Sequence, residues 1–119
     1  MTTRPMIAPD KVSPAADAVV ASFHRGIVDE VAAAVAKDHI VVVGMAQNPV
    51  VKKARKQLQE EGVPFTYLEY GSYFSKWRER LAIKLWAGFP TFPMVFIDGT
   101  LVGGNAELTR LRADGKLKK

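Results

Sequence analysis

The residues at the start of one predicted helix are the first candidates for chemistry. Asn48 stands directly before Pro49. Asparagine is among the best residues for capping a helix, and proline suits the first helical position. The free N–H groups and the positive end of the helix dipole at this point could hold an anion. The amide of Asn48 supplies no nucleophile at neutral pH, however, so we expect this residue to act as a cap.

The chain contains no cysteine. Thiolate is the nucleophile of disulfide exchange and the usual ligand of iron–sulfur clusters, so this protein can do neither with its own side chains. His24 and His39 have no nearby carboxylate pattern in the sequence, and we expect no metal site and no acid–base role for them. Binding is therefore the chemistry that the sequence favours.

Two further segments could bind an acidic ligand. Arg80 and Lys84 lie one helical turn apart and could share a carboxylate. A solvated helix face is the better interpretation for Lys84, whereas Arg80 stays a candidate because its guanidinium matches a carboxylate. The segment Gly103-Gly104-Asn105 could present backbone N–H groups to an α-carboxylate, although a plain turn between a hairpin and a helix explains the glycines equally well.

The elements that position these residues alternate between helix and strand. The first half is predicted to hold a helix from Ser13 to about Lys37, a strand over 39–43, a helix from Asn48 to Gly62 and a strand over 65–70. The second half is predicted to hold a helix that ends at Gly88, a hairpin of strands 94–97 and 100–102, and a last helix that is capped by Asn105 and ends near Gly115. Apolar spacing predicts a packed stripe in the first helix, made of Val20, Phe23, Ile27, Val31 and Val35. It turns Val51, Ala54 and Leu58 of the second helix inward and aligns Trp77, Leu81 and Leu85 in the third. A crossover helix joins parallel strands and Asp98-Gly99 favours an antiparallel hairpin, so we expect a mixed sheet with helices on both faces.

Length and composition predict one globular domain. The 119 residues are 48% hydrophobic, and we assign 14–119 to a single domain and 1–13 to a flexible N-terminal arm. The arm has no continuous apolar stretch, so we expect a cytoplasmic protein, a monomer or weak dimer with no membrane contact. The net charge of +5 could attract nucleic acid, but with no aromatic-interleaved basic stretch or reading motif we expect no nucleic-acid partner.

Several segments in this order resemble glutaredoxins of the thioredoxin-like fold. They are Phe92–Gly99, Leu101–Gly104, and the stretch from Arg80 to Thr91, which is similar to monothiol glutaredoxins. The resemblance runs from about Ile40 to Leu117. It implies a glutaredoxin-type α/β sandwich with a four-stranded mixed sheet, helices on both faces and an extra N-terminal helix. Thr91-Phe92-Pro93 looks like the family's segment before the hairpin, which has a cis proline. This segment could dock the backbone of glutathione or a peptide, although a turn that the fold itself needs explains it equally well.

The departures from the family fall on its functional positions. The family's two active-site cysteines correspond to Asn48 and Val51. Its upstream lysine, used against the glycine carboxylate of glutathione, corresponds to Met45 or Gly44. Its Gly-Gly-x-Asp element reads Gly103-Gly104-Asn105-Ala106, without the aspartate. The resemblance therefore implies the scaffold without the family's reaction.

The sequence thus predicts a glutaredoxin-like protein that lacks redox cysteines and acts as a non-catalytic binding module, with weak glutathione or peptide binding in the old active-site cleft. The expected ligand-binding residues are Asn48, Arg80, Thr91, Phe92, Pro93, Gly103, Gly104 and Asn105. We expect no catalytic residue, no metal and no resident cofactor. One alternative is a glutathione-dependent thiol–disulfide oxidoreductase that uses a partner's thiols. Another is an interaction subunit whose aromatic residues, expected to form core, line a protein interface; they are Tyr70, Trp77, Trp86, Phe89 and Phe92.

Overall fold

A computed structural model describes residues 4–117, and its core is a four-stranded sheet. The helices are α1 (Pro14–Ser22), α2 (Arg25–Lys37), α3 (Pro49–Glu60), α4 (Trp77–Ala87) and α5 (Asn105–Ala113), and the strands are β1 (Ile40–Gly44), β2 (Thr66–Glu69), β3 (Met94–Ile97) and β4 (Thr100–Gly103). A short 3₁₀ turn, Pro9–Lys11, precedes α1. The strand order is β2-β1-β3-β4, with β1 parallel to β2 and antiparallel to β3. The predicted mixed sheet is confirmed.

The two faces of the sheet carry separate apolar clusters. Val41 and Val43 of β1 pack with α2 and α4, whereas Ile40 and Val42 pack with α3 and α5. All five residues of β1 are buried, which explains why its β-branched run shows no polar alternation. Helices thus cover both faces, and the ends of the strands are left to form a site.

The single N-terminal helix predicted from Ser13 to Lys37 is wrong. Ser13 does cap a helix, since its side chain accepts from the backbone N–H of Ala16. The chain breaks after Ser22, where His24 adopts a left-handed backbone with φ of 44°. This break turns α1 away from the sheet, and α1 has no buried residue. Of the predicted stripe only Val31 and Val35 are buried.

Part of the predicted N-terminal arm contacts the domain. The guanidinium of Arg4 donates to the carbonyl oxygen of Gly88 at 3.2 Å, at the end of α4. Residues 1–3 of the arm and residues 118–119 of the predicted domain lie outside the described residues. The separation of an arm from a domain at residue 13 stays a prediction.

The core position expected for Trp77 on α4 is also wrong. Trp77, Leu81 and Leu85 share one face as predicted, but all three are exposed. The face that meets the sheet carries Ile83, Ala82 and Arg80 instead. Spacing of three and four residues shows that side chains share a helix face, but it does not show which of two apolar faces is packed.

The hairpin turn brings together two groups that are distant in the sequence. Asp98 and Gly99 have φ angles of 50° and 80°, as the predicted tight turn requires. The carboxylate of Asp98 lies 2.5 Å from Nδ1 of His39, at the start of β1. A second carboxylate, that of Glu79, lies 3.8 Å from Nδ1 of His24. Each histidine therefore has a carboxylate neighbour in space that no pattern in the sequence shows.

A buried tyrosine joins α2 to the sheet and predicts an alkaline loss of stability. The hydroxyl of Tyr70 donates to Glu30 at 2.5 Å, and its side chain is 5% exposed. Burial, followed by the hydrogen bond to Glu30, raises the pKa of Tyr70 well above its ordinary value. The same two causes, with Glu69 as the partner, raise the pKa of Tyr67 to about 12. Both tyrosines therefore favour folding below the unfolded pKa of about 10, and this contribution is lost as pH rises towards the folded values.

For Tyr70→Phe we expect a lower free energy of unfolding at neutral pH, by about 1 kcal/mol, because Glu30 loses its donor. Above about pH 10 the stability of this variant should fall less steeply than that of the parent protein, since one ionising group is gone. Urea unfolding across the alkaline range measures this slope. Tyr67→Phe should show a milder version of the same change. Equal slopes in the parent and in both variants would contradict the prediction.

Candidate active-site edge

The topology places most of the predicted site residues at one edge of the sheet. The parallel strands β1 and β2 both end at this edge, β3 begins there, and β4 ends there. The loops after β1 and β2 are joined by a hydrogen bond from Ala46 N–H to the carbonyl oxygen of Gly71 at 2.7 Å. On the other side, a Cβ at Gly104 would stand 3.2 Å from the carbonyl oxygen of Pro93. This edge therefore collects Asn48, the segment before β3 and the glycine pair at the end of β4.

Asn48 occupies the start of α3 with its own side chain. Its Oδ1 accepts from the backbone N–H of Val50 at 2.9 Å and of Val51 at 3.0 Å. The predicted cap is confirmed. Since two of the free donors at this helix start are already paired, an incoming anion would have to displace the amide oxygen to reach them.

The Phe92–Pro93 peptide bond is cis. Thr91 is exposed, whereas Phe92 and Pro93 are buried. No hydrogen bond within residues 4–117 engages the backbone of Thr91 or Phe92. The short segment Thr91–Pro93 therefore keeps backbone donors and acceptors available at the edge.

Lys84 is a functional candidate that the sequence analysis considered and set aside. Its ammonium lies 5.6 Å from the centroid of the Phe92 ring, and its side chain is half-buried. Gly88, with φ of 71°, ends α4. The sequence placed Lys84 on a solvated face because spacing within the helix does not show a contact between α4 and the segment before β3.

Arg80 lies inside the fold and does not share a carboxylate with Lys84. It is 8% exposed, and its guanidinium donates to the backbone carbonyls of Tyr70 at 3.0 Å and Ser75 at 2.5 Å. These contacts hold the loop that follows β2. The guanidinium thus already has acceptors, although a ligand role for Arg80 stays a prediction.

A carboxylate accepts the hydrogen bond that the glycine pair at the end of β4 could have offered to a ligand. Glu107 reaches back from the first turn of α5, and its Oε1 accepts from Gly104 N–H at 2.7 Å. Gly104, not Asn105, occupies the cap position, so the predicted cap is wrong. Asn105 is the first residue of α5 and accepts from Gln57 Nε2 of α3 at 2.8 Å. The sequence signal for the contact between Glu107 and Gly104 N–H was a glutamate three residues after the cap position.

The positions of these groups limit the chemistry of the edge. At the start of α3 the Asn48 side chain already accepts from the backbone N–H of Val50. At the start of α5 the Glu107 carboxylate accepts from Gly104 N–H, where the glycine pair could have bound an anion. Among the described residues no cluster of three His, Cys, Asp or Glu side chains could hold a metal ion. The residues of the edge supply backbone donors and acceptors and polar side chains, but no thiolate.

Comparison with known proteins agrees with the fold. The glutaredoxin family model matches residues 40–102. A glutaredoxin-like protein of Dictyostelium discoideum is 50% identical over 96 residues, which cover 81% of this chain and 78% of the relative. Glutaredoxin 1 of Rickettsia conorii is 34% identical over 80 residues, covering 67% of this chain and 78% of the relative. The buckwheat glutaredoxin–glutathione complex has a TM-score of 0.67 at 22% identity and covers 78% of this chain and 84% of that one. With its thioredoxin-like sheet and these relatives, the chain belongs to the glutaredoxin family, as a member without cysteine.

Proposed function

We propose that this protein is a binding module that keeps the glutaredoxin scaffold without its thiol chemistry. The observation that supports this most directly is at Asn48, the position of the family's first cysteine by resemblance. There the amide oxygen pairs with Val50 N–H and Val51 N–H and so fills the helix start with a group that is not nucleophilic. Val51, at the second position, is 1% exposed and apolar.

The ligand that this edge favours is an extended peptide backbone, with glutathione as a weaker ligand. Thr91–Pro93 offers backbone groups for strand-like pairing, and Lys84 offers a cation beside them. By resemblance the family's upstream lysine corresponds to Met45 or Gly44. Both are buried and uncharged, so one carboxylate partner is missing. The Glu107 carboxylate on Gly104 N–H would repel a second carboxylate. The buckwheat relative binds glutathione, and we expect this protein to bind it more weakly.

The proposed ligand-binding set is accordingly narrower than the sequence suggested. Thr91, Phe92 and Pro93 form its centre, with the remaining amide hydrogens of Asn48 on one side and Lys84 on the other. Gly103, Gly104, Asn105 and Arg80 shape the edge through the contacts that they already make.

Titration with reduced glutathione tests the proposal. We expect saturable amide shifts at Phe92, Met94 and Val95 in NMR spectra, with a dissociation constant on the order of 1 mM or weaker. Lys84→Gln should weaken this binding by about tenfold, because it removes one charge-assisted contact. The exposed Lys53→Gln on α3 changes the net charge equally and should leave the dissociation constant within about twofold.

Two results would contradict the proposed function. The first is the absence of saturable shifts for both glutathione and an unstructured peptide, which would remove the ligand from this edge. The second is turnover of a glutathione mixed disulfide above the uncatalysed rate, which would favour the oxidoreductase alternative. The peptide arm separates a general backbone-docking edge from a glutathione site.

A further inference from the structure

The outer surface of α4 and the loop before it carry an exposed apolar ridge, which consists of Tyr73, Phe74, Trp77, Leu81 and Leu85. Phe74 is 94% exposed and Trp77 is 57% exposed. The segment Tyr73–Arg78 also interleaves three aromatic residues with Lys76 and Arg78. The expectation that the chain has no aromatic-interleaved basic stretch was therefore wrong, and Trp77 does not belong to the core.

The exposed apolar area of the ridge is large for a small protein. Trp77, Leu81 and Leu85 are spaced by four residues, so they form a line about 12 Å long on one helix face. Phe74 lies three residues before Trp77, in the loop that leads into α4. With 150–250 Å² for each aromatic side chain, the exposed apolar area is on the order of 500 Å². Patches of this size on a monomer often mark an interaction site.

The charge beside the ridge is positive. Lys76 and Arg78 are both exposed, and the guanidinium of Arg78 lies 5.1 Å from the centroid of the Trp77 ring. The nearest carboxylate on α4, that of Glu79, faces His24 at the start of α2. The whole chain carries a net charge of +5. A partner of this surface should therefore combine an apolar phase with negative charge.

We propose that the ridge docks on the surface of an anionic phospholipid bilayer. Aromatic side chains with polar edges favour the headgroup boundary, leucines favour the acyl region below it, and lysine and arginine pair with lipid phosphates. Nucleic acid could stack on the aromatic rings but would leave Leu81 and Leu85 in water. In a dimer formed through this ridge, Lys76 and Arg78 of one copy would lie near the same positive charges of the other, and like charges repel.

This surface contact differs from membrane insertion. Among residues 4–117, no helix has the length and apolar character that crossing a bilayer requires. The expectation of no membrane contact rested on the lack of such a segment, which does not bear on a ridge at the surface. The proposal also uses none of the residues that form the glutathione or peptide edge, so either can fail without the other.

Co-sedimentation of the full chain with vesicles tests the proposal. We expect saturable binding to phosphatidylcholine vesicles that contain about one third phosphatidylglycerol, and little binding to phosphatidylcholine alone. Phe74→Ser should weaken binding by about tenfold, since it removes the most exposed ring. Lys76→Gln with Arg78→Gln should weaken it by about 25-fold, at about fivefold for each charge.

A matched control separates the ridge from net charge. Lys52→Gln with Lys53→Gln removes two exposed cations from α3 and should change binding by less than about fivefold. The proposal is overturned by an absence of binding to the anionic vesicles, or by equal losses in the two double variants. It is also overturned if Phe74→Ser abolishes self-association or binding of a single-stranded oligonucleotide while vesicle binding is unchanged. Circular dichroism confirms that each variant is folded, which we expect because these side chains are exposed.

Discussion

The Asn48→Cys variant is expected to carry a thiol whose pKa lies below the free value of about 8.5. Asn48 Oδ1 accepts from Val50 N–H and Val51 N–H at 2.9 and 3.0 Å, so a sulfur at this residue would face the same donors and the positive end of α3. The thiolate should gain from both, by about one pH unit or more. The pH dependence of alkylation by iodoacetamide measures the shift.

A cysteine at the other end of the same helix is the control for this experiment. Gln59 is exposed in the last turn of α3, where the dipole disfavours a thiolate. Gln59→Cys should therefore react with its midpoint at a higher pH than Asn48→Cys. Equal midpoints would mean that the helix start does not activate a sulfur, and they would contradict the correspondence between Asn48 and the family's first cysteine. Loss of the asparagine cap should also cost about 1 kcal/mol in the free energy of unfolding.

Replacing Arg80 with methionine is expected to destabilise the protein by about 2–4 kcal/mol. The buried guanidinium donates to the carbonyls of Tyr70 and Ser75, and methionine fills part of its volume without supplying a donor. The carbonyls would lose their partner, and the loop between β2 and α4 would lose its anchor. Urea unfolding measures the free energy, and amide hydrogen exchange in residues 71–76 reports the loop.

The exposed Arg78 is the matched control on the same helix, and Arg78→Met should change the free energy of unfolding by no more than about 0.5 kcal/mol. The glutathione titration separates the two roles considered for Arg80. If Arg80→Met leaves the stability unchanged but removes the amide shifts at Phe92 and Val95, then Arg80 contacts the ligand and its role in holding the loop is wrong.

The sequence alone determined the features that depend on residues close together in the chain. Ser13-Pro14 and Asn48-Pro49 predicted two helix starts, and Asp98-Gly99 predicted the hairpin turn. These features follow from local backbone hydrogen bonds and φ angles, which nearby residues set directly. The buried run of β1 and the order of elements then led to the mixed sheet, and the absence of cysteine removed thiol chemistry without any structure.

Only the tertiary structure decided which groups meet and which stay in water. It buried Arg80 under a loop, placed Lys84 beside Phe92, and left Trp77 exposed although its spacing fitted a core stripe. A helix with apolar residues on two faces has two ways to pack, and the choice depends on the shape of the sheet below it. The same holds for His39 and Asp98, 59 residues apart, which meet only because β1 pairs with β3. Helical and strand periods describe one element at a time, so contacts between elements lie beyond them.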